Sequence, residues 1–152
     1  MNIFAFFKEE QQDIEEKLKY VTENYGQLSR EEVFDKVKYL GDAVNGHLKK
    51  QEKLLLSHVE KTEKVQPFLE ACRKDASNLK EELGQLVMVH VDEPEYQKCL
   101  KRLLLIFEDH IKFSNEMYEK LKDFLSEQDV VEMNEELKVM VHHASDFNTL
   151  QP

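Results

Sequence analysis

The amino-acid sequence predicts an all-α protein, an up-down-up-down four-helix bundle with an additional short C-terminal helix. Apolar residues recur at alternating spacings of three and four, which is the spacing of one helix face. The 152 residues include only 4 Gly and 3 Pro, whereas an average chain has about 7% and about 5% of these residues. The chain therefore has few tight turns, and no stretch of it alternates apolar and polar residues as a strand does.

Local signals delimit the first two helices. The first apolar stripe runs from Phe4 to Tyr25, and the following Gly26 is typical of a helix end. Ser29 precedes Glu32 by three residues, which is the spacing of a capping box at the start of a second helix.

The second stripe is long, and a proline ends it. It starts at Val33 and predicts one continuous helix to about Val65, before Pro67 begins the next helix. The third stripe runs from Leu69 to Leu86. Short links between such helices favour antiparallel packing of neighbours.

The last part of the chain predicts two more helices. Asp92 stands just before Glu-Pro and is expected to be the N-cap of a fourth helix, whose stripe is Leu100–Phe124. A shorter fifth helix is expected over about residues 129–144, either covering its own bundle or docking another subunit. We expect one domain over residues 1–152, with a core bundle over about 4–125.

Composition excludes several classes of partner. The chain has 21 basic and 31 acidic residues, for a net charge of −10. A non-specific nucleic-acid binder or a protein that docks on anionic membranes needs a basic face. No apolar run reaches the roughly 18 residues of a membrane span. Cys72 and Cys99 are too few for a disulfide framework, so we expect reduced thiols, a cytoplasmic location and no nucleic-acid or membrane partner.

The chain also looks like two copies of one helix pair. His47 aligns with His110 at an offset of 63, and Leu40 then meets Leu103. Gln11 aligns with Ala76 at the similar offset of 65. The repeat is weak in identity but keeps the same phase on the helices, so it predicts approximate two-fold symmetry.

A few polar or small residues interrupt the apolar stripes. His47 and Gln51 are four residues apart, so they share a helix face, and so do His110 and Ser114. A histidine with a carboxylate close by on the same face is how bundles present ligands to a metal in their interior. Here the second member is an amide in one helix and a hydroxyl in the other.

This layout resembles the hemerythrin-like (HHE cation-binding) domain family over about residues 4–125. The resemblance implies a four-helix bundle built from two similar helix pairs, which together hold a non-haem di-iron centre. The first helix of each pair would supply one histidine. The second helix of each pair would supply a histidine and, four residues later, a carboxylate. The four segments that carry the resemblance are FFKEEQQDIEEKLKYV, GHLKKQEKLLLSHVE, ACRKDASNLKEELGQLV and EDHIKFSNEMYEKL.

The chain departs from that pattern at four of the six positions. His47 and His110 are kept, and the substituted ligand positions are Gln11, Gln51, Ala76 and Ser114. Glu52 lies about 100° around the helix from Gln51, so it reaches the interior only if the helix is distorted. His58 is about 16 Å along the helix from His47, too far for one metal site, and is expected at an end of the bundle. The adjacent His142 and His143 are a weak metal pair on different helix faces.

Two hypotheses therefore stay open. The first is a degenerate hemerythrin-like bundle without a complete di-iron centre or other cofactor. It would act as a structural, sensory or protein-interaction module, and its helix faces would bind a second copy of the chain or another protein. Its core histidines would be satisfied by Gln51, Ser114, Gln11 or water. The alternative is an iron- or zinc-binding protein that uses His47 and His110, assisted by Glu52. We expect no enzyme, because peroxidase or oxidase chemistry needs more ligands than the sequence supplies.

Overall fold

The computed structural model describes residues 2–59 and 63–150, and the side chains of residues 2–59 and 64–141. This part of the chain is helical, without strands. Its five long helices are α1 (Ile3–Glu23), α2 (Arg30–Lys50), α3 (Gln66–Met88), α4 (Pro94–Leu121) and α5 (Glu127–Leu150). The prediction of an all-α protein is confirmed. Within the described residues, no helix combines the length and apolarity needed to cross a membrane.

Residues at the N-termini define the starts of α1, α2 and α4. The Asn2 side chain accepts hydrogen bonds from the backbone N–H groups of residues 4 and 5 and caps α1. The predicted capping box of Ser29 and Glu32 is present at the start of α2. The prediction for α4 is wrong by one residue, since Glu93 rather than Asp92 is the N-cap. Asp92 forms an ion pair with Arg30 instead, at 2.9 Å.

The second helix is less regular than its stripe predicts. Regular α-helix ends at Lys50, and a π-helix over Gln51–Leu56 and a short α-helical turn over Ser57–Val59 follow. A π-helix bonds i to i+5 and so fits more residues into each turn. Three consecutive leucines, 54 to 56, are consequently all buried. Of the predicted continuation to Val65, residues 60–62 lie outside the described residues, and Glu63–Val65 form a 3₁₀ turn.

The four helices α1 to α4 pack side by side with antiparallel neighbours, and we call them the bundle. In each contacting pair the residue numbers rise along one helix and fall along the other. The contacts that show this are Glu10–His47 and Lys17–Tyr39 for α1 and α2, Phe7–Tyr118 and Tyr25–Tyr96 for α1 and α4, and Asp75–His110 and Glu82–Arg102 for α3 and α4. The predicted antiparallel packing of neighbours is therefore present.

A layer of polar residues divides the hydrophobic core into two clusters. The upper cluster lies towards the α1–α2 link and includes Ile14, Leu40, Leu79 and Phe107. The lower cluster lies at the opposite end and includes Phe7, Leu54, Leu69 and Met117. Between them lie the polar residues that interrupt the stripes. The core therefore consists of an upper apolar cluster, a polar layer and a lower apolar cluster along the bundle axis.

The last helix covers the lower cluster of its own bundle. Met133 and Leu137 of α5 are fully buried in that cluster. The Asn134 side chain accepts a hydrogen bond of 2.9 Å from the backbone N–H of Ile3. The helix begins at Glu127 and ends at Leu150, so it is longer at both ends than the predicted 129–144. His142 and His143 lie outside the side chains that the structure describes.

Replacing Leu137 tests how α5 contributes to stability. Leu137→Ala should lower the free energy of unfolding by about 2–5 kcal/mol, because it removes buried methyl groups and leaves a cavity. Urea unfolding followed by circular dichroism measures this change. Val139→Ala is the matched control on the same helix, since its side chain is 55% exposed, and it should change stability by less than about 0.5 kcal/mol. Equal effects of both variants would contradict the packing of α5.

Candidate functional site

The polar layer is the candidate functional site. It consists of Gln11 from α1, His47 from α2, Gln51 from the first residue of the π-helix, and His110 and Ser114 from α4. None of these residues is more than 5% exposed. All five residues therefore lie in the core, on the buried faces of their helices. Ala76 of α3, at the remaining substituted position, is partly buried beside the layer.

Each core histidine is oriented by a carboxylate at the rim of the bundle. A Glu10 oxygen lies 2.7 Å from Nδ1 of His47, and an Asp75 oxygen lies 2.5 Å from Nδ1 of His110. The other Glu10 oxygen accepts a hydrogen bond of 2.6 Å from Lys50. A carboxylate that accepts from Nδ1–H fixes the imidazole tautomer, which leaves Nε2 as the inner nitrogen.

These two pairs obey the internal repeat. Glu10 and Asp75 are 65 positions apart, and His47 and His110 are 63 apart. Sequence reasoning missed both carboxylates because it looked only at stripe positions. The signal was available, since each carboxylate immediately precedes a residue that the repeat aligns, Gln11 or Ala76.

His110 finds its inner partners within the layer. The Ser114 hydroxyl lies 3.2 Å from Nε2 of His110. The Gln51 amide donates to the Tyr118 hydroxyl at 2.5 Å, and its nitrogen lies 3.5 Å from the Ser114 hydroxyl. Tyr118 was not among the predicted site residues, because the predicted stripe of this helix passes through Met117 and Leu121 instead. Burial raises the pKa of Tyr118, so its phenol keeps its proton and can donate a hydrogen bond.

His47 and Gln11 have fewer hydrogen-bond partners than His110. The His47 ring packs edge-on against the His110 ring, with 5.7 Å between the ring centroids. Nε2 of His47 and both polar atoms of the Gln11 amide are buried without a hydrogen-bond partner among the described residues. Buried polar atoms seldom lack partners. This part of the layer therefore suits a water molecule or a small ion.

The residues of the layer do not fit the di-iron centre that the resemblance implies. They supply imidazole, amide and hydroxyl groups, and among the described side chains the layer contains no carboxylate. Glu10 and Asp75 are engaged at Nδ1, on the outer side of the histidines. Two iron ions therefore lack bridging anionic ligands here, and neutral donors leave their charge uncompensated in a buried site.

Glu52 lies outside the layer although the helix is distorted beside it. Its side chain is 49% exposed and forms an ion pair of 2.9 Å with Arg73. The structure therefore does not bring Glu52 together with the two histidines, as the metal hypothesis expects. The π-helix starts at Gln51 and keeps that residue, rather than Glu52, in the interior.

A small cavity reaches the layer from the side of α3. It measures about 250 Å³, and Ala76, His110, Ser114, Gln51 and Cys72 line part of it. The alanine at position 76 contributes to this space, because its side chain is a single methyl group. Burial raises the pKa of the Cys72 thiol to about 12, with nearby Asp75 and Glu52 acting in the same direction. The thiol is therefore protonated near neutral pH and is a poor nucleophile or metal ligand.

Comparisons of this chain with protein-family models, with curated proteins and with solved structures found no match.

The buried histidine makes stability depend on pH. Burial lowers the pKa of His47 below its ordinary value, against the opposing effect of Glu10. Burial raises the pKa of Glu10, but its hydrogen bonds with His47 and Lys50 outweigh this and hold that pKa below its ordinary value. Below about pH 6.5 the unfolded chain takes up a proton at residue 47 that the folded chain does not. Stability is therefore lost as the pH falls below that value.

We expect the free energy of unfolding to fall between pH 6.5 and 5, by at most about 1.4 kcal/mol per pH unit from this one proton. His47→Gln should have a shallower slope in this range, whatever its stability at pH 7. Urea unfolding at several pH values measures both slopes. His90→Gln is the control, because the His90 side chain is 66% exposed, and it should keep the slope of the unmodified protein. Identical slopes in all three proteins would contradict a neutral, buried His47.

Proposed function

We propose that this chain is a hemerythrin-like bundle that has lost the di-iron centre and acts as a non-catalytic protein-interaction module. One observation carries this proposal. The outer carboxylate–histidine pairs are present at both halves of the repeat, while the inner positions hold Gln11, Gln51 and Ser114. The arrangement thus keeps the residues that orient metal-binding histidines but supplies none of the anionic ligands.

The inner substitutions also support a layer that is stable without a metal. Gln51, Ser114, Tyr118 and His110 hydrogen-bond with one another. Neutral partners satisfy each other without a compensating cation, whereas buried carboxylates require one. A protein that needs no metal to fold can use the bundle for binding alone.

Restoring the four substituted positions tests the resemblance directly. We expect the protein expressed with excess iron, after dialysis, to hold well under one iron per chain. The variant Gln11→His, Gln51→Glu, Ala76→His, Ser114→Glu should bind about two irons and gain absorption in the near ultraviolet and visible range. The cavity beside Ala76 leaves room for the new histidine. Metal analysis and absorption spectra measure both proteins.

Two outcomes would contradict the proposal. About two irons per chain in the unmodified protein would show that the centre is present. A helical restored variant without bound iron would show that the layer does not have the family's geometry. Circular dichroism establishes whether the variant is helical. A control that restores only Gln51→Glu and Ser114→Glu should bind iron more weakly, because it lacks the two added histidines.

A second candidate function rests on the unpartnered atoms. Nε2 of His47 and the Gln11 amide suit a single iron or zinc ion shared with His110 and water. In that case zinc would bind at about one ion per chain. His47→Ala and His110→Ala would each abolish this binding, whereas His90→Ala, at an exposed position, would not.

A surface groove supports the interaction role. It lies between α2 and α3, measures about 840 Å³ and includes Phe34, Val87 and Met88. These three side chains are 58%, 74% and 87% exposed. Exposed apolar surface of this kind is typical of an interaction site.

We propose a second copy of the chain as the occupant of this groove. An interface between two identical chains must be self-complementary. The groove suits this because both signs of charge line it, with lysines at 38 and 80 and acidic residues at 42 and 93. A two-fold axis can therefore bring unlike charges together around the apolar centre.

The oligomeric state tests this proposal. Sedimentation velocity should show a dimer at micromolar concentration, and Val87→Glu with Met88→Glu should shift the protein to monomer, because two charges would enter an apolar interface. Leu105→Glu is the control, since this residue of α4 is 64% exposed and is not part of the groove. A monomer at all concentrations, or a dimer that the double variant leaves intact, would contradict a second copy as the occupant.

A further inference from the structure

A second group of metal-ligating side chains lies at the end of the bundle, apart from the polar layer. One potential ligand atom from each of His58, Asp129 and Glu132 lies within 4.8 Å of the other two. Glu136 adds a fourth group, since its carboxylate lies 3.3 Å from Nε2 of His58. The ligands come from two parts of the chain, the turn after the π-helix and the first half of α5.

The π-helix explains why His58 is there. Continued α-helical phase would place His58 on the core stripe, eleven residues after His47. The extra residue in the π-helical turn changes that phase, so Val59 is fully buried and the His58 side chain is 15% exposed beside α5. π-Helical turns are frequently found at functional sites. The distortion thus moves a histidine from the core to a face that carries acidic residues.

The acidic residues of α5 share one face. Asp129, Glu132 and Glu136 are spaced by three and four residues, which makes them neighbours on a helix. Like charges at these spacings repel one another. Among the described contacts, Glu136 forms an ion pair with His58, while Asp129 accepts a hydrogen bond from the backbone N–H of Ser126 and Glu132 accepts one from the Gln128 amide. A bound cation would relieve this repulsion and occupy the imidazole nitrogen at the same time.

The ligand types favour an ion of the zinc class. Zinc binds histidine nitrogen and carboxylate oxygen, and three protein ligands with a water are a common set. An ion at the centre of three atoms that lie within 4.8 Å of one another is within about 3 Å of each, so modest side-chain rotations reach the zinc–ligand distances of about 2.0–2.2 Å. Calcium and magnesium prefer an all-oxygen set, which the histidine makes less suitable.

We propose that His58, Asp129 and Glu132 bind one Zn²⁺ per chain and that the ion fastens α5 to the helical turn Ser57–Val59. The site spans the place where Met133 and Leu137 of α5 pack on the lower cluster. A metal ion bound by both elements therefore holds α5 in place on the lower cluster. This site is independent of the polar layer, and it exists whether or not the bundle descends from a di-iron protein.

Zinc titration of the full chain tests the proposal. After treatment with a chelator, the protein should bind one Zn²⁺ in isothermal titration calorimetry. His58→Ala should weaken this binding about tenfold or more, and Glu132→Gln, which keeps the shape of the side chain, should weaken it as well. Zinc should also slow amide hydrogen exchange in α5 of the unmodified protein, and His58→Ala should lose this protection.

Three controls separate this site from other zinc ligands. Zinc bound at the polar layer would be lost in His47→Ala and kept in His58→Ala. That result would overturn the present proposal and would support a metal site at the polar layer instead. His142→Ala with His143→Ala should leave the affinity unchanged, and a loss there would place the ion elsewhere on α5. His90→Ala controls for removal of an exposed histidine. Zinc binding that is absent in the unmodified protein, or unchanged in His58→Ala, overturns the proposal.

Discussion

The two carboxylate–imidazole pairs are the interactions on which the rest of the bundle depends. An imidazole in the core needs a hydrogen-bond partner on at least one nitrogen, because burying a polar group without a partner costs about 2–7 kcal/mol. Glu10 and Asp75 supply one partner each from the helix next to the histidine. Each pair therefore fixes the register of two antiparallel helices, since a slip of one turn, about 5.4 Å, would separate carboxylate from imidazole. The apolar clusters above and below then pack in the register that the pairs set.

The chemistry of the layer follows from the residues that face these pairs. A carboxylate beside each inner nitrogen would bring negative charge into the core and require a cation there. Gln51 and Ser114 are neutral, and they bond with His110 and Tyr118 instead. Among the described residues, Nε2 of His47 has no hydrogen-bond partner, whereas Nε2 of His110 lies within hydrogen-bond distance of the Ser114 hydroxyl. The two halves of the repeat therefore differ in whether the inner nitrogen of the histidine is free to bind a water molecule or an ion.

The sequence predicts much of this arrangement, and the misses have physical causes. Stripe spacing identifies the five helices and places His47 and His110 on buried helix faces, because burial repeats with the helical period. Glu10 and Asp75 each lie one residue before a stripe position. The apolar pattern alone therefore does not distinguish them from acidic residues that face solvent. The π-helix at Gln51 has no sequence signal of the kind that a proline gives. It allows the lower cluster to bury all three adjacent leucines, and the packing that favours this is tertiary.

That π-helix connects the two sites. It begins at Gln51, so the phase of α2 is kept through the polar layer and changes only afterwards. The change buries three consecutive leucines in the lower cluster and turns His58 towards the acidic face of α5. The burial of apolar surface by the leucines offsets the less favourable hydrogen-bond geometry of the π-helical turn. The packing of the lower cluster thus determines both how α5 is held and where a histidine meets its carboxylates, so a change in these leucines should disturb the His58 site before it disturbs the polar layer.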